Sequence, residues 1–305
     1  MAAWTSPATE HVGARARDRA AVDAALLALC DRALADLPRE VQQAVRYSLL
    51  GEGKRLRPLL VLAAYRAAGG SGDASGLAAA VEVVHAYSLV HDDLPCMDDD
   101  AVRRGRPTTH VVYGVAVAML AGVAMVPLAA RAALEGAEAL GLPRPVRRAI
   151  VRELMQASGA GGMVGGQLLD LESETRDHLS IGDLERIHRA KTGALIRAAV
   201  RLGGAGAAAS PPAMEALTRY GEAVGLAFQI ADDVLDATAT TETLGKTAGR
   251  DAERGKRTYP ALLGVEGALQ LAAALAEEAC TSLLRADLRP GELAELARYV
   301  VARPS

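Results

Sequence analysis

Eight of the eighteen aspartates in this 305-residue chain sit in two short segments, and each segment closes a long apolar stretch with helical spacing. The first is His91-Asp92-Asp93-Leu94-Pro95-Cys96-Met97-Asp98-Asp99-Asp100, and the second is Gln229-Ile230-Ala231-Asp232-Asp233-Val234-Leu235-Asp236. A helix C-terminus is the negative end of the helix dipole, so carboxylates there are unfavourable. Five of them within nine residues also repel one another. A fold that keeps both segments must supply cations, and a hard divalent metal with oxygen ligands is the natural one. Asp232 and Asp236, four apart, share one face of a helix. Asp92 and Asp98 are six apart, which is wrong for one continuous helix. Pro95 between them predicts a break that folds Asp98 back toward Asp92. Either cluster alone also reads as a solvated acidic helix end.

The rest of the chain is helical in pattern. Alanine and leucine dominate, half the residues are hydrophobic, and only 3% are aromatic, a balance that favours helix over sheet. Apolar segments with helical spacing cover 18–37, 40–50, 58–68, 77–90, 111–140, 146–171, 181–202 and 212–236. The stretch 245–255 is polar and loop-like, and helix resumes from Tyr259. No linker or repeat divides the chain, so residues 1–305 are expected to form a single domain.

Residues 111–130 carry no charge and are long enough to cross a bilayer. No second span of that kind stands out, and the expectation is a central helix buried on all sides in a bundle rather than a membrane span. Met1 to Arg19 lacks the apolar core of a secretory signal. Cys30, Cys96 and Cys280 are odd in number and far apart, which fits a reducing, cytoplasmic setting. A net charge of −3 gives no field that would gather nucleic acid.

The cations are as uneven as the acids: thirty Arg against four Lys. All four lysines, Lys54, Lys191, Lys246 and Lys256, lie in polar, Gly-rich contexts, where a compact charge beside flexible backbone suits a phosphate. Arg103, Arg104 and Arg106 directly follow the first acidic segment. Acids for metal and Lys/Arg for anions together point to a polyphosphate substrate, whereas any single residue also reads as an ordinary surface ion pair.

Asp-Asp-x-x-x-x-Asp followed by Arg-Arg-Gly-x-Pro-Thr, and Phe-Gln-x-x-Asp-Asp-x-x-Asp, resemble the two aspartate-rich motifs of trans-isoprenyl diphosphate synthases, the polyprenyl synthetases. Gly-Gly-Gln-Leu-Leu-Asp-Leu at 165–171 and the Lys-Thr-Gly stretch within 184–202 are similar to the same family. The likeness runs from about Val41 to Gly264 and is strongest to bacterial farnesyl diphosphate synthases. It implies an all-α bundle of ten or more helices around a central prenyl-diphosphate cavity, in a homodimer. The implied activity condenses isopentenyl diphosphate with allylic diphosphates (dimethylallyl, geranyl), with magnesium assisting ionisation.

The resemblance also implies roles, residue by residue. Asp92 and Asp98 would ligate two Mg2+ ions, and Asp232 with Asp236 a third. Lys54, Arg57, His85 and Arg104 would hold isopentenyl diphosphate, and Arg103, Lys191, Lys246 and Lys256 the allylic diphosphate. Thr192 and Gln229 would flank the reacting carbons, with Asp170 orienting Lys191. Asp93, Asp99, Asp100 and Asp233 are weaker candidates as direct ligands, and His91 reads as structural. Tyr87, five residues before Asp92, is the expected floor of the prenyl pocket, with Ser88 beside it too small to block a chain.

The chain departs from the family pattern at Val123, where an Asp is expected after Leu120-Ala121-Gly122; Val115, Val117 and Met119 are also more apolar than usual. The valine-rich segment therefore offers a second wall that could limit product length. Farnesyl diphosphate is the expected product, with geranylgeranyl diphosphate the alternative. A class I terpene cyclase would carry an Asn/Ser/Glu motif in place of the second acidic segment, and a silent partner subunit would lack motif acids. Neither pattern is present.

Overall fold

The computed structural model describes residues 7–173, 179–238, 258–286 and 288–302. It is all-α, as the periodicity predicts. The helices are α1 (Pro7–Ala33), α2 (Arg39–Leu49), α3 (Leu56–Ala67), α4 (Ser75–Asp92), α5 (Thr109–Tyr113), α6 (Val115–Ala139) and α7 (Arg144–Ser158). They continue as α8 (Met163–Ser173), α9 (Ile181–His188), α10 (Ala194–Gly206), α11 (Pro211–Thr238), α12 (Tyr259–Leu284) and α13 (Gly291–Val301). The expected loop 245–255 lies outside the described residues.

Sidedness follows spacing. In α2 the buried residues are Val41, Ala44, Val45 and Leu49, one stripe of a helix that is otherwise polar. By contrast, α3 buries every residue from Pro58 to Tyr65, and α4 is buried along most of its length. These two apolar helices form the middle of the bundle, α3 packing on α10 and α4 on α6, while α11 packs along α12.

Several boundaries differ from the sequence pattern, each for a local reason. The first helix starts at Pro7, earlier than residue 18. The run 111–140 is split at Gly114 into α5 and α6. The run 146–171 is split by the turn at Gly159–Gly162 into α7 and α8. Between α9 and α10 the chain stays helical but widens into a five-residue π turn, Arg189–Gly193. A two-stranded hairpin pairs Val102–Arg103 with Arg106–Pro107 across Arg104-Gly105. Both turn residues have positive φ, 54° and 71°, as the tightest hairpin turn requires.

The expectation of a helix buried on all sides is corrected at α6. Ala118, Ala121, Gly122, Met125, Ala129 and Ala133 are buried, whereas Val115, Met119, Leu120 and Val123 are about half exposed. Buried and exposed residues recur at helical spacing, so one apolar face meets α4 and the other is uncovered. Among the described residues, α6 and α12 are long and apolar enough, by length and composition, to cross a membrane.

Candidate active site

A cavity of about 1340 Å³ opens between the ends of α4, α8 and α11 and the loop before α3, and both acidic segments face it. The first segment folds back as Pro95 predicts. The Asp98 backbone N–H donates to the Asp92 carbonyl (2.8 Å), Asp99 N–H to Leu94 (3.1 Å) and Asp100 N–H to Asp93 (3.2 Å). Asp92 and Asp98 are thereby brought together at the cavity wall. Burial raises the Asp92 pKa and the Asp98 charge adds to it, while Lys191 opposes the shift.

Their neighbours do other work. Asp93 is buried and accepts from Arg103 Nε at 2.6 Å; burial pushes its pKa up to about 6 although Arg103 pulls it down. Arg103 also donates to Asp100 at 3.2 Å. Asp99 is exposed, on a left-handed backbone turn.

In the second segment Asp232 and Asp236 line the cavity one helical turn apart. Asp233, also at the cavity wall, is buried and already engaged: it meets His188 Nε2 (3.2 Å) and accepts from Gln229 Nε2 (3.2 Å) and the Tyr259 N–H (3.1 Å). It ties α9, α11 and the start of α12 together. The π turn carries Lys191 and Thr192 between the two acidic ends. Lys191 Nζ donates to Asp170 at 2.6 Å, and Thr192 Oγ1 donates to Gln229 Oε1 at 2.8 Å. A π turn adds one residue to a helical turn and re-aims the side chains after it.

The other end of the cavity is cationic. Arg57 Nη1 lies 3.2 Å from His85 Nε2, and its guanidinium sits 5.6 Å from the Phe228 ring centroid. Burial, with the charges of Arg57, Arg104, Arg103 and Arg55, drives the His85 pKa well below its ordinary value. The ring is therefore neutral and its Nε2 lone pair accepts from Arg57. Arg104 donates to the Glu52 carbonyl at 2.9 Å, and Lys54 stands exposed at the rim. Lys246 and Lys256 lie outside the described residues.

A sequence model of the polyprenyl synthetase family matches residues 38–285. The farnesyl diphosphate synthase of Escherichia coli K12 is 48% identical over 280 residues, 89% of this chain and 93% of that one. Geranylgeranyl pyrophosphate synthase 9 of Arabidopsis thaliana is 46% identical over 270 residues, 87% of this chain and 75% of the relative. The solved Helicobacter pylori geranyltransferase, complexed with magnesium and isoprenyl diphosphate, superposes with a TM-score of 0.79 at 29% identity, covering 98% of this chain and 97% of that one. The chain belongs to the polyprenyl synthetase family. It is a trans-prenyltransferase with the all-α fold of its relatives.

Three features of this synthetase escaped the sequence reading. Arg55 and Glu82 form a buried pair at 2.7 Å on the cavity wall, and Arg55 also binds Asp23 at 2.8 Å. The signal was a lone Glu among the Ala and Val of α4. Phe228, inside the second motif, supports Arg57. Gln167, inside Gly-Gly-Gln, lines the cavity beside Asp170.

The donor set suits magnesium. Among the described residues no three His, Cys, Asp or Glu side chains gather closely enough to hold an ion by themselves. Mg2+ is commonly held by one or two carboxylates, with substrate phosphates and water completing the shell. Two acidic pairs facing one cavity, with cations beyond them, match that division.

Proposed function

We propose that this synthetase condenses isopentenyl diphosphate with dimethylallyl and then geranyl diphosphate, ending at farnesyl diphosphate. The observation that carries the reading is the facing of the two acidic helix ends across one cavity, with Lys191, Thr192 and Gln229 between them. Asp92 and Asp98, and across from them Asp232 with Asp236, would hold Mg2+, which supplies charge neutralisation for a departing diphosphate. Asp170 holds Lys191 toward the same anion. Arg57, held by a hydrogen bond from its Nη1 to neutral His85, presents a fixed donor to the diphosphate of isopentenyl diphosphate; Lys54 and Arg104 complete that clamp. Heterolysis of the allylic C–O bond sends its electron pair to diphosphate. The double bond of isopentenyl diphosphate attacks the cation, and the lost proton goes to the released diphosphate. Holding both substrates in one water-poor cavity accounts for much of the acceleration.

Product analysis of purified protein given dimethylallyl and isopentenyl diphosphates with magnesium tests this reading. Farnesyl diphosphate is expected. Geranylgeranyl diphosphate would correct the product. Diphosphate released without any need for isopentenyl diphosphate would point to a cyclase, and none released to a silent subunit; either would end the reading.

The two diphosphate sites should separate kinetically. Lys54→Ala is expected to raise KM for isopentenyl diphosphate, and Lys246→Ala, assigned by resemblance, to impair the allylic substrate. Equal damage to both substrates from each variant would mean the partition is wrong.

The pH dependence of metal use follows from burial. The raised Asp92 pKa and the Asp93 value of about 6 mean that protons compete for this helix end nearer neutrality than for an ordinary aspartate. Metal needs the ionised form, so lower pH weakens it. The magnesium concentration for half-maximal turnover should rise severalfold from about pH 7.5 to about pH 5.5. A flat requirement would show that Asp92 is not a ligand.

We further propose a homodimer, through the uncovered face of α5 and α6. Val111, Val112, Val115, Met119, Leu120 and Val123 are each about half exposed along α5 and α6, and large apolar side chains gathered on an uncovered face mark a surface suited to a partner. Leu120→Arg should convert a dimer to monomer in sedimentation velocity; an unchanged dimer would place the interface elsewhere. Three free cysteines support a cytoplasmic setting.

A further inference from the structure

On α8, Gln167 sits one turn before Asp170, the partner of Lys191, so the two project from neighbouring positions on one helix face. The preceding residue fixes its level. A Cβ on Gly166 would lie 2.1 Å from the backbone N of Lys191 and 2.5 Å from its Cα. The α8 backbone is thus pressed directly on the π turn, which only glycine permits. Gln167 is thereby held beside Lys191 and Thr192.

Its carboxamide is the anomaly. Gln167 is 7% exposed and lines the cavity, yet neither Oε1 nor Nε2 meets solvent or a hydrogen-bond partner among the described residues. Such a group is costly, and folds normally pair it. Gln229, the carboxamide that the family resemblance places at the reacting carbons, is differently placed. Its Oε1 accepts from Thr192 and its Nε2 donates to Asp233, so it is already committed at both ends.

We propose that Gln167 is a further catalytic residue, the uncommitted carboxamide that faces the reacting allylic carbons when substrate fills the cavity. The assignment rests on the prenyl-transfer reading. Both atoms are closed off from the open cavity in this structure, so the proposed role requires a change of side-chain rotamer that brings Oε1 toward the developing allylic cation and Nε2–H toward the oxygen leaving with diphosphate. No covalent bond to Gln167 forms at any point: the C–O electron pair leaves with diphosphate, the new C–C bond comes from isopentenyl diphosphate, and the proton goes to diphosphate. An amide dipole with no existing hydrogen bond has none to break as charge develops, and a dry site strengthens its effect. The unmet polar atoms are then a strain kept at a functional position.

The test separates function from folding. Gln167→Met keeps size and removes both polar atoms. Its thermal midpoint should match or exceed that of the parent, because an unsatisfied buried group is gone. Its kcat with geranyl and isopentenyl diphosphates should fall by at least ~10-fold, with KM for isopentenyl diphosphate within about twofold. Gln167→Leu repeats the comparison if methionine is not accommodated. Gln167→Glu, which keeps an acceptor oxygen, should turn over faster than Gln167→Met. A kcat for the folded apolar variant within about twofold of the parent overturns the proposal. So does a loss of turnover that simply tracks a fall in thermal midpoint, or a Glu variant slower than the Met one. The parent is assayed first: if it does not condense the two substrates, the prenyl-transfer reading fails and this inference with it. An active parent with a normal Gln167→Met sinks the inference alone.

Discussion

Asp92→Asn and Asp232→Asn are each expected to lower kcat by at least ~100-fold at saturating magnesium, the scale of losing one preorganised electrostatic group in a closed site. The substitution keeps shape and removes a charge. Asp92 ends α4, where the helix dipole is unfavourable, burial raises its pKa, and Asp98 is folded back beside it. An ionised group kept against those three effects is a cost to the fold. The metal-free variants should accordingly have thermal midpoints equal to or above that of the parent, while turnover collapses. A purely structural carboxylate predicts a lower midpoint and near-normal turnover instead. Near-normal turnover in either variant would remove that residue from the metal site. Asp233→Asn should differ in kind. Its carboxylate accepts from the Tyr259 N–H and Gln229 and meets His188, so its loss registers first in stability.

The contrast between Asp232 and Asp233 marks how far the sequence could be read. Local geometry was legible. The four-residue spacing of Asp232 and Asp236 placed both on one face, and Pro95 announced the turn that returns Asp98 to Asp92. Long apolar runs with helical spacing located most helices, because sidedness is a property of spacing alone. Partners distant in sequence were not legible. Glu82 finds Arg55 at a separation of 27 residues, and Asp233 finds His188 at 45. Nothing in the local pattern of α4 or α11 names those partners. The hairpin at Arg104-Gly105, the break at Gly159–Gly162 and the π turn at Lys191 were missed for a related reason. The last two are short interruptions within runs read as single helices, 146–171 and 181–202, whereas the hairpin falls between two such runs, where only a polar stretch was read. At α6 the lack of charge was read as burial on every side. Charge says nothing of which face is covered, and the exposed Val115–Met119–Val123 stripe shows that only one is.

Tyr87→Ala is expected to move the product from farnesyl diphosphate to geranylgeranyl diphosphate or longer, with condensation retained. Tyr87 lies five residues before Asp92 on α4, about 7.5 Å down the helix at 1.5 Å per residue. That is the depth at which a prenyl chain anchored by its diphosphate would meet a barrier. The structure places the Tyr87 side chain at the cavity wall and braces it. Its ring packs edge-on against His91 at a centroid distance of 5.1 Å, and His91 Nε2 lies 3.1 Å from the Met119 carbonyl of α6. The brace fits only because residue 122 has no side chain: a Cβ on Gly122 would lie 2.1 Å from His91 Nε2. A ring backed in this way resists a growing chain better than a free one. Ser88 turns its hydroxyl back to the His85 carbonyl at 2.8 Å and adds no barrier, as its size suggested. The rival wall is removed by position. Val123 is 56% exposed on the outer face of α6 and does not line the cavity, so it cannot stop a chain inside this protomer. Chromatography of products from parent and Tyr87→Ala decides the matter. An active variant that still ends at the parental length would place the floor elsewhere. A parent that itself makes geranylgeranyl diphosphate would show that Tyr87 admits the longer chain, leaving the reaction class unchanged.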